Sequence, residues 1–434
     1  MTISERDNAA IWHPFTQHKM TPLPCPIQRG EGAYLFEQDG KRLLDLISSW
    51  WVNLHGHANQ EIANAIYQQA MKLEHVIFSS FTHEPAVQVA EELLKILPST
   101  FSKIFYSDNG STSVEVALKM AYQFWRNIGE KRRHRFIAFE NGYHGDTFGA
   151  MSVGRKSDFF TPYEDLLFQT DFMPYPSTWL GDQNVQKKEQ DVLTKLDEHL
   201  KKYANEIAAL IIEPLVQGAS GMNMCRPEFL QQLETLVRSY GILIIYDEVM
   251  TGFGRTGDYF ACVKANTTPD IICLAKGLTG GFLPLAVTAC SEQIYQAFLG
   301  DDFNHALVHG HSFTANPLGC AAALASLDIL KRPETRAQQN KIQNVHQAAL
   351  INLLNNAPIE HARYCGTISA FNLKLNTGYG SGVSIKLRER FQKLGLLIRP
   401  LGNVIYFLPP YCIFENDLKQ AYVIMTEEIQ GVIA

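Results

Sequence analysis

Pro269-Asp-Ile-Ile-Cys-Leu-Ala-Lys276-Gly277-Leu-Thr-Gly280-Gly281 is an apolar run that ends in one lysine and then breaks at glycines. An upstream counterpart, Ile242-Leu-Ile-Ile-Tyr-Asp247-Glu248, ends in acids. Both read as short buried strands with a charge at the carboxyl end. Open α/β sheets place their ligands at that end. A lysine sheltered there can lose its charge to desolvation and attack a carbonyl. An acid there can hold a proton on a ring nitrogen. A third stretch, Ile104-Phe-Tyr-Ser107-Asp-Asn-Gly110-Ser111-Thr112, runs into Val114-Glu-Val-Ala-Leu-Lys-Met-Ala121. That is strand, small polar turn, helix. Backbone N–H groups at a helix start suit a phosphate, although a plain N-cap is the commoner use of such a turn.

Taken one by one these features are ordinary. Together, in this order, a lysine, an acid and a phosphate turn are what pyridoxal phosphate requires.

Working outward, the rest of the chain sets bounds. Its 434 residues are 46% hydrophobic, enough for a large core. With 19% charged residues and a net charge of −6 there is no basic stripe, so nucleic acid is not indicated. No apolar stretch approaches a membrane span, and the first residues show no signal-peptide core. Eight cysteines lie scattered, several inside apolar runs and with no CxxC pair. They read as small core residues in a reducing cytoplasm. His55, His57, His75 and His83 lack metal-ligand spacing, and no metal is expected.

Gly32-Ala-Tyr-Leu-Phe and Arg42-Leu-Leu-Asp-Leu flank an Asp39-Gly40 turn signal and predict a hairpin. The middle alternates strand runs (135–139, 208–212, 242–245) with helical stretches at 186–203 and 227–240. This order predicts an α/β fold with a mainly parallel, helix-covered sheet. A long helix over 316–330 leads to a smaller α+β domain. The expected division is residues 1–54 and 325–434 for the small domain and 55–324 for the large one. Glu213, at the end of the 208–212 strand, is open between a pocket acid and a strand-end charge.

Over essentially its full length the chain resembles the class III, fold-type I pyridoxal phosphate aminotransferases. The likeness rests on Ser107-Asp-Asn-Gly-Ser, Asn141-Gly-Tyr-His-Gly-Asp-Thr, Ile212-Glu-Pro, Asp247-Glu-Val-Met-Thr-Gly-Phe-Gly-Arg255-Thr-Gly and Leu274-Ala-Lys276-Gly. Further segments are similar to the branch that converts 8-amino-7-oxononanoate to 7,8-diaminononanoate in biotin synthesis. These are Ile11-Trp-His-Pro-Phe15-Thr, Ser48-Ser-Trp50-Trp51-Val-Asn-Leu-His-Gly, His309-Gly310-His311-Ser312-Phe and Ile398-Arg399-Pro-Leu-Gly with Tyr406.

The resemblance implies a homodimer with the active site between subunits. Lys276 would carry the cofactor and afterwards move the proton. Asp247 would pair with the pyridine nitrogen. Gly110 and Ser111 would bind phosphate, with Thr112 a weaker candidate, helped by His311 and Ser312 of the partner subunit. Tyr143 would stack on the ring or line the substrate pocket. Arg399 would grip the acceptor's carboxylate, and Gly310 would permit close backbone approach. Trp50 is expected to touch substrate in preference to Trp51, since adjacent residues of a strand face opposite ways. Arg255 is expected in a polar network around the substrate, with Asp146.

The amino donor is left between S-adenosylmethionine and lysine. Phe15 stands where adenosylmethionine-using relatives carry tyrosine, and His311-Ser312 where they carry Pro-Thr. Met250 stands where many ω-amino-acid transaminases have glutamine. Rival readings are another class III transaminase or decarboxylase and, from a different class, a non-enzymatic protein of the same fold.

Overall fold

The computed structural model describes residues 1–154, 160–375 and 382–433. Among them the central sheet has seven strands: β1 Phe101–Ser107, β2 Arg135–Phe139, β3 Asp171–Met173, β4 Ile207–Ile212, β5 Leu243–Asp247, β6 Ile271–Leu274 and β7 Ala286–Ser291. Their order across the sheet is β1-β7-β6-β5-β4-β2-β3. The pairs from β6 to β3 are parallel, and only β7 runs against its neighbours β6 and β1. The mainly parallel sheet expected from the sequence is present.

Every residue of β4, β5 and β6 is buried, which is why these strands are continuous apolar runs and do not alternate. Helix covers both faces. Leu243, Ile245, Ile271 and Cys273 join Val114, Ala117, Ala121 and Phe124 of helix α1, Gly110–Asn127. The intervening Ile244, Tyr246, Ile272 and Leu274 face the other way. They share a core with Leu196 and Leu200 of α2, Val185–Tyr203, and with Leu233 and Val237 of α3, Pro227–Ser239. Helix α4, Pro317–Leu330, is capped by Asn316, whose side chain accepts the Gly319 N–H. Helices α2, α3 and α4 fall within a residue of their expected bounds.

The expected hairpin also forms. Tyr34–Glu37 pairs antiparallel with Arg42–Asp45, and Gly40 takes φ +87° in the turn. The outer strand Arg42–Asp45 then pairs, parallel, with Leu396–Leu397 from the other end of the chain. A second antiparallel sheet, Ile359–Cys365, Ile368–Leu373 and Val404–Phe407, packs under the helix Pro333–Asn356. No helix among the described residues is long and apolar enough to cross a membrane.

Candidate active site

The carboxyl ends of β4, β5 and β6 deliver Glu213, Asp247 and Lys276 to one side of the sheet, and the start of α1 delivers Gly110 and Ser111. All five line a cavity of about 450 Å3. Lys276 opens the turn after β6 with φ +36°, an unusual backbone for a side chain of its size. Burial lowers its pKa, against the opposing charges of Asp247 and Glu213. The amine is thereby eased toward its neutral, nucleophilic form.

Asp247 is buried beside His144, with Oδ2 2.7 Å from Nδ1, and its Oδ1 accepts the Val249 N–H at 3.0 Å. The carboxylate is therefore held in one orientation from two sides. At the head of α1, Asn109 accepts the Thr112 N–H, and the Thr112 hydroxyl donates to Asp108 Oδ1 at 2.7 Å. Thr112 thus caps the helix, and it lines neither this cavity nor the one adjoining it. The N–H groups of Gly110 and Ser111 head the helix, where no earlier helical carbonyl can reach them. A Cβ at Gly110 would lie 2.6 Å from Val249 Cγ1, so the turn stays open only with glycine.

A second cavity of about 350 Å3 adjoins the first and shares Trp51, Tyr143 and Lys276 with it. Arg399 lies at this cavity with its guanidinium 4.7 Å from the Trp50 ring. Lys276 Nζ lies 4.8 Å from the Trp51 ring, and Trp51 Nε1–H donates to the Tyr406 hydroxyl at 3.0 Å. Phe15 meets Trp50 edge-on at 5.7 Å. Tyr143 donates its hydroxyl to Asp146 Oδ2 at 2.8 Å and its backbone N–H to Glu213 Oε1 at 2.9 Å.

Two expectations change. Both tryptophans line the second cavity, not Trp50 alone. Residues 48–51 are a tight helical turn with non-helical dihedrals at Ser49 and Trp50, so strand alternation does not apply. Arg255 does not reach Asp146. It is fully buried and donates to the carbonyls of Pro409 at 2.8 Å and Asn53 at 3.1 Å, so it ties chain segments together. Gly310, His311 and Ser312 line neither cavity of their own subunit. The His311 N–H donates locally to Thr314 Oγ1.

Glu213 and His144 are site residues that sequence reasoning did not commit to. Burial pushes the Glu213 carboxyl up to about 7, and its oxygens accept the N–H groups of Tyr143 and Gly218. The strand-end rule that picked Lys276 and Asp247 also points at Glu213.

Pyridoxal phosphate passes a test of fit. One cavity offers a buried amine for its aldehyde, a fixed carboxylate for its ring nitrogen and a helix start for its phosphate. The family model for class III aminotransferases matches residues 15–429. The chain belongs to that family.

Among class III aminotransferases, the chain is 51% identical to the adenosylmethionine-8-amino-7-oxononanoate aminotransferase of Synechococcus elongatus, over 97% of this chain and 99% of that protein. It is 41% identical to the Geobacter sulfurreducens protein of the same name, over 96% and 95%. A crystal structure of that aminotransferase from Methanocaldococcus jannaschii superimposes with a TM-score of 0.91 at 35% identity, covering 99% of this chain and 98% of the other. An amine transaminase from an uncultivated Pseudomonas species, solved with pyridoxal phosphate bound, gives 0.89 at 30% identity, covering 97% and 98%.

Proposed function

We propose that this class III aminotransferase moves an amino group onto 8-amino-7-oxononanoate, giving 7,8-diaminononanoate for biotin synthesis. One observation carries the reading beyond the family. A buried lysine and an arginine lie at the same aromatic-walled cavity, Lys276 against Trp51 and Arg399 against Trp50. An acceptor with a reacting carbonyl, an aliphatic chain and a carboxylate matches that sequence of chemistry. The names of the relatives point the same way.

Pyridoxal phosphate, when bound, supplies an electron sink and a temporary seat for the amino group. The chain's residues do the rest. Lys276, eased toward its neutral form by burial, would hold the cofactor and, once released, move the proton at the substrate carbon. Asp247, fixed by His144, would keep the ring nitrogen protonated. Gly110 and Ser111 would hold the phosphate. Arg399 would grip the acceptor carboxylate with its fork of donors, while Trp50, Trp51 and Phe15 keep water from the aliphatic chain.

A homodimer belongs to this reading. His311 and Ser312 of the partner subunit would complete the phosphate site, and the partner subunit's Gly310 would approach the substrate. The position of these residues outside their own subunit's cavities supports that arrangement. A cytoplasmic setting is also proposed, and all eight cysteines are unpaired.

S-Adenosylmethionine is the proposed donor, in keeping with the relatives' names. Lysine is the second reading, favoured by Phe15, which offers the cavity no hydroxyl. The test is to give the purified holoenzyme 8-amino-7-oxononanoate with each donor separately and to follow 7,8-diaminononanoate by mass spectrometry. Product with S-adenosylmethionine supports the full proposal. Product with lysine alone changes the donor and keeps the acceptor. No product with either donor, alongside turnover of β-alanine or putrescine, overturns the acceptor.

A further inference from the structure

Four successive residues, Ser48 to Trp51, make the turn that brings both tryptophans to the substrate cavity. Three of them have left-handed backbone: φ is +51° at Ser48, +60° at Ser49 and +68° at Trp51. Non-glycine residues rarely adopt such angles. A run of them persists only where the surroundings over-determine it, and such runs gather at functional sites.

What holds this run is one buried carboxylate. Asp45, with no solvent exposure, accepts the Ile47 N–H on Oδ1 at 3.1 Å. Its Oδ2 accepts the Ser49 N–H at 2.7 Å and the Ser49 hydroxyl at 3.3 Å, and meets His57 Nε2 at 2.9 Å. His57 Nδ1 faces the Asn53 amide nitrogen at 3.1 Å. The amide can only donate, so Nδ1 accepts and Nε2–H donates to Asp45. From the far side the Ser48 hydroxyl donates to the Leu408 carbonyl at 2.8 Å.

The turn sets one tryptophan against each basic side chain of the cavity, Trp51 against Lys276 and Trp50 against Arg399. We propose that Asp45, oriented by His57, is a positioning residue: it holds the strained Ser48–Trp51 turn and thereby sets which length of carboxylate-bearing amine the cavity accepts. The choice of acceptor as a probe rests on the function proposed above; the role of Asp45 does not.

Asp45→Asn keeps the shape but turns an amide donor toward other donors. It should raise KM for 8-amino-7-oxononanoate by about tenfold or more, with a smaller fall in kcat. The near-ultraviolet circular dichroism of the tryptophans, which needs no substrate, should change with it. Ser49→Gly alone should stay near wild type, because glycine takes positive φ freely. The double variant D45N/S49G should recover part of both losses, which a merely structural role would not give. Should D45N fail to fold, His57→Gln provides the reading, with a smaller rise in KM and the same direction of spectral change. A lowered melting temperature with unchanged KM and unchanged aromatic signal, in D45N or in H57Q, overturns the proposal. A wild type inert toward 8-amino-7-oxononanoate would count against the acceptor alone, and the aromatic signal would still decide the role of Asp45.

Discussion

The two adjoining cavities are built in opposite ways. The larger one takes its chemistry from the ends of neighbouring strands in one sheet and from the helix start after β1. Asp247 is the last residue of β5, Glu213 follows β4 directly, one residue separates Lys276 from β6, and two separate Gly110 from β1. The smaller cavity is assembled from Phe15, Trp50, Trp51, Ala219, Arg399 and Tyr406, spread over nearly the whole chain. The first can be read from local pattern, because a strand that ends in a charge carries that charge to the sheet's edge whatever else happens. The second exists only because Arg42–Asp45 pairs with Leu396–Leu397 and brings the two termini together. On the proposed function, general chemistry would sit on the local scaffold and substrate choice on the long-range one.

Variants can break this contrast, beginning with the largest effect. Lys276→Ala should lower kcat by about 10,000-fold, as expected for removal of the acid–base group, with little change in melting temperature. Survival of more than a small residue of transamination would show that the first cavity is not the reacting one. Asp247→Asn should cost roughly 100- to 1,000-fold in kcat, the scale of losing a preorganised electrostatic partner. It should act on both half-reactions, since each uses the same ring nitrogen, and single-turnover kinetics with each substrate would check this.

Arg399→Ala should separate the cavities. KM for 8-amino-7-oxononanoate should rise roughly 10- to 100-fold, the worth of a charge-assisted pair, while the donor half-reaction changes less. Equal damage to both halves would mean that Arg399 does not read the acceptor's carboxylate.

Arg255→Met tests the corrected role of a buried arginine. It orphans the carbonyls of Pro409 and Asn53 and should cost about 2 kcal/mol of stability, read by denaturant unfolding. KM should hardly move, and a large KM effect would restore Arg255 to the substrate network.

The smallest effect is a pH slope. Burial raises the Glu248 carboxyl to about 7. Folded Glu248 therefore keeps its proton to higher pH than the unfolded chain does. Its contribution is present below the ordinary carboxyl range and is lost as pH rises through about 7. Glu248→Gln should remove that decline, at most about 1.4 kcal/mol per pH unit. Melting temperatures of E248Q and wild type between pH 5 and 8 would show it. Parallel curves would rule out a titrating Glu248.

Particular residues show where legibility stopped. Lys276, Asp247, Gly110 and Ser111 were readable because short apolar runs and turn chemistry place them without knowledge of the whole fold. Glu213 obeyed the same rule, but the sequence does not say whether a strand-end acid is buried. His144 lies in the motif at 141–147, but that motif does not show its contact with Asp247, 103 positions away. For Trp50 and Trp51 the error was in the period, because a strained turn held from Asp45 replaced the strand that alternation assumed.

Sequence by itself determined the helix-covered parallel sheet, the order of its charged strand ends and the kind of chemistry they support, because these depend on hydrophobic period and turn composition over a few residues. Only the tertiary structure decided which tryptophans wall the cavity, that Arg255 fastens segments together, and that Arg399 shares a cavity with Lys276. Those outcomes depend on which distant strands pair and which polar groups burial leaves in need of partners, and neither is written in any one stretch of the chain.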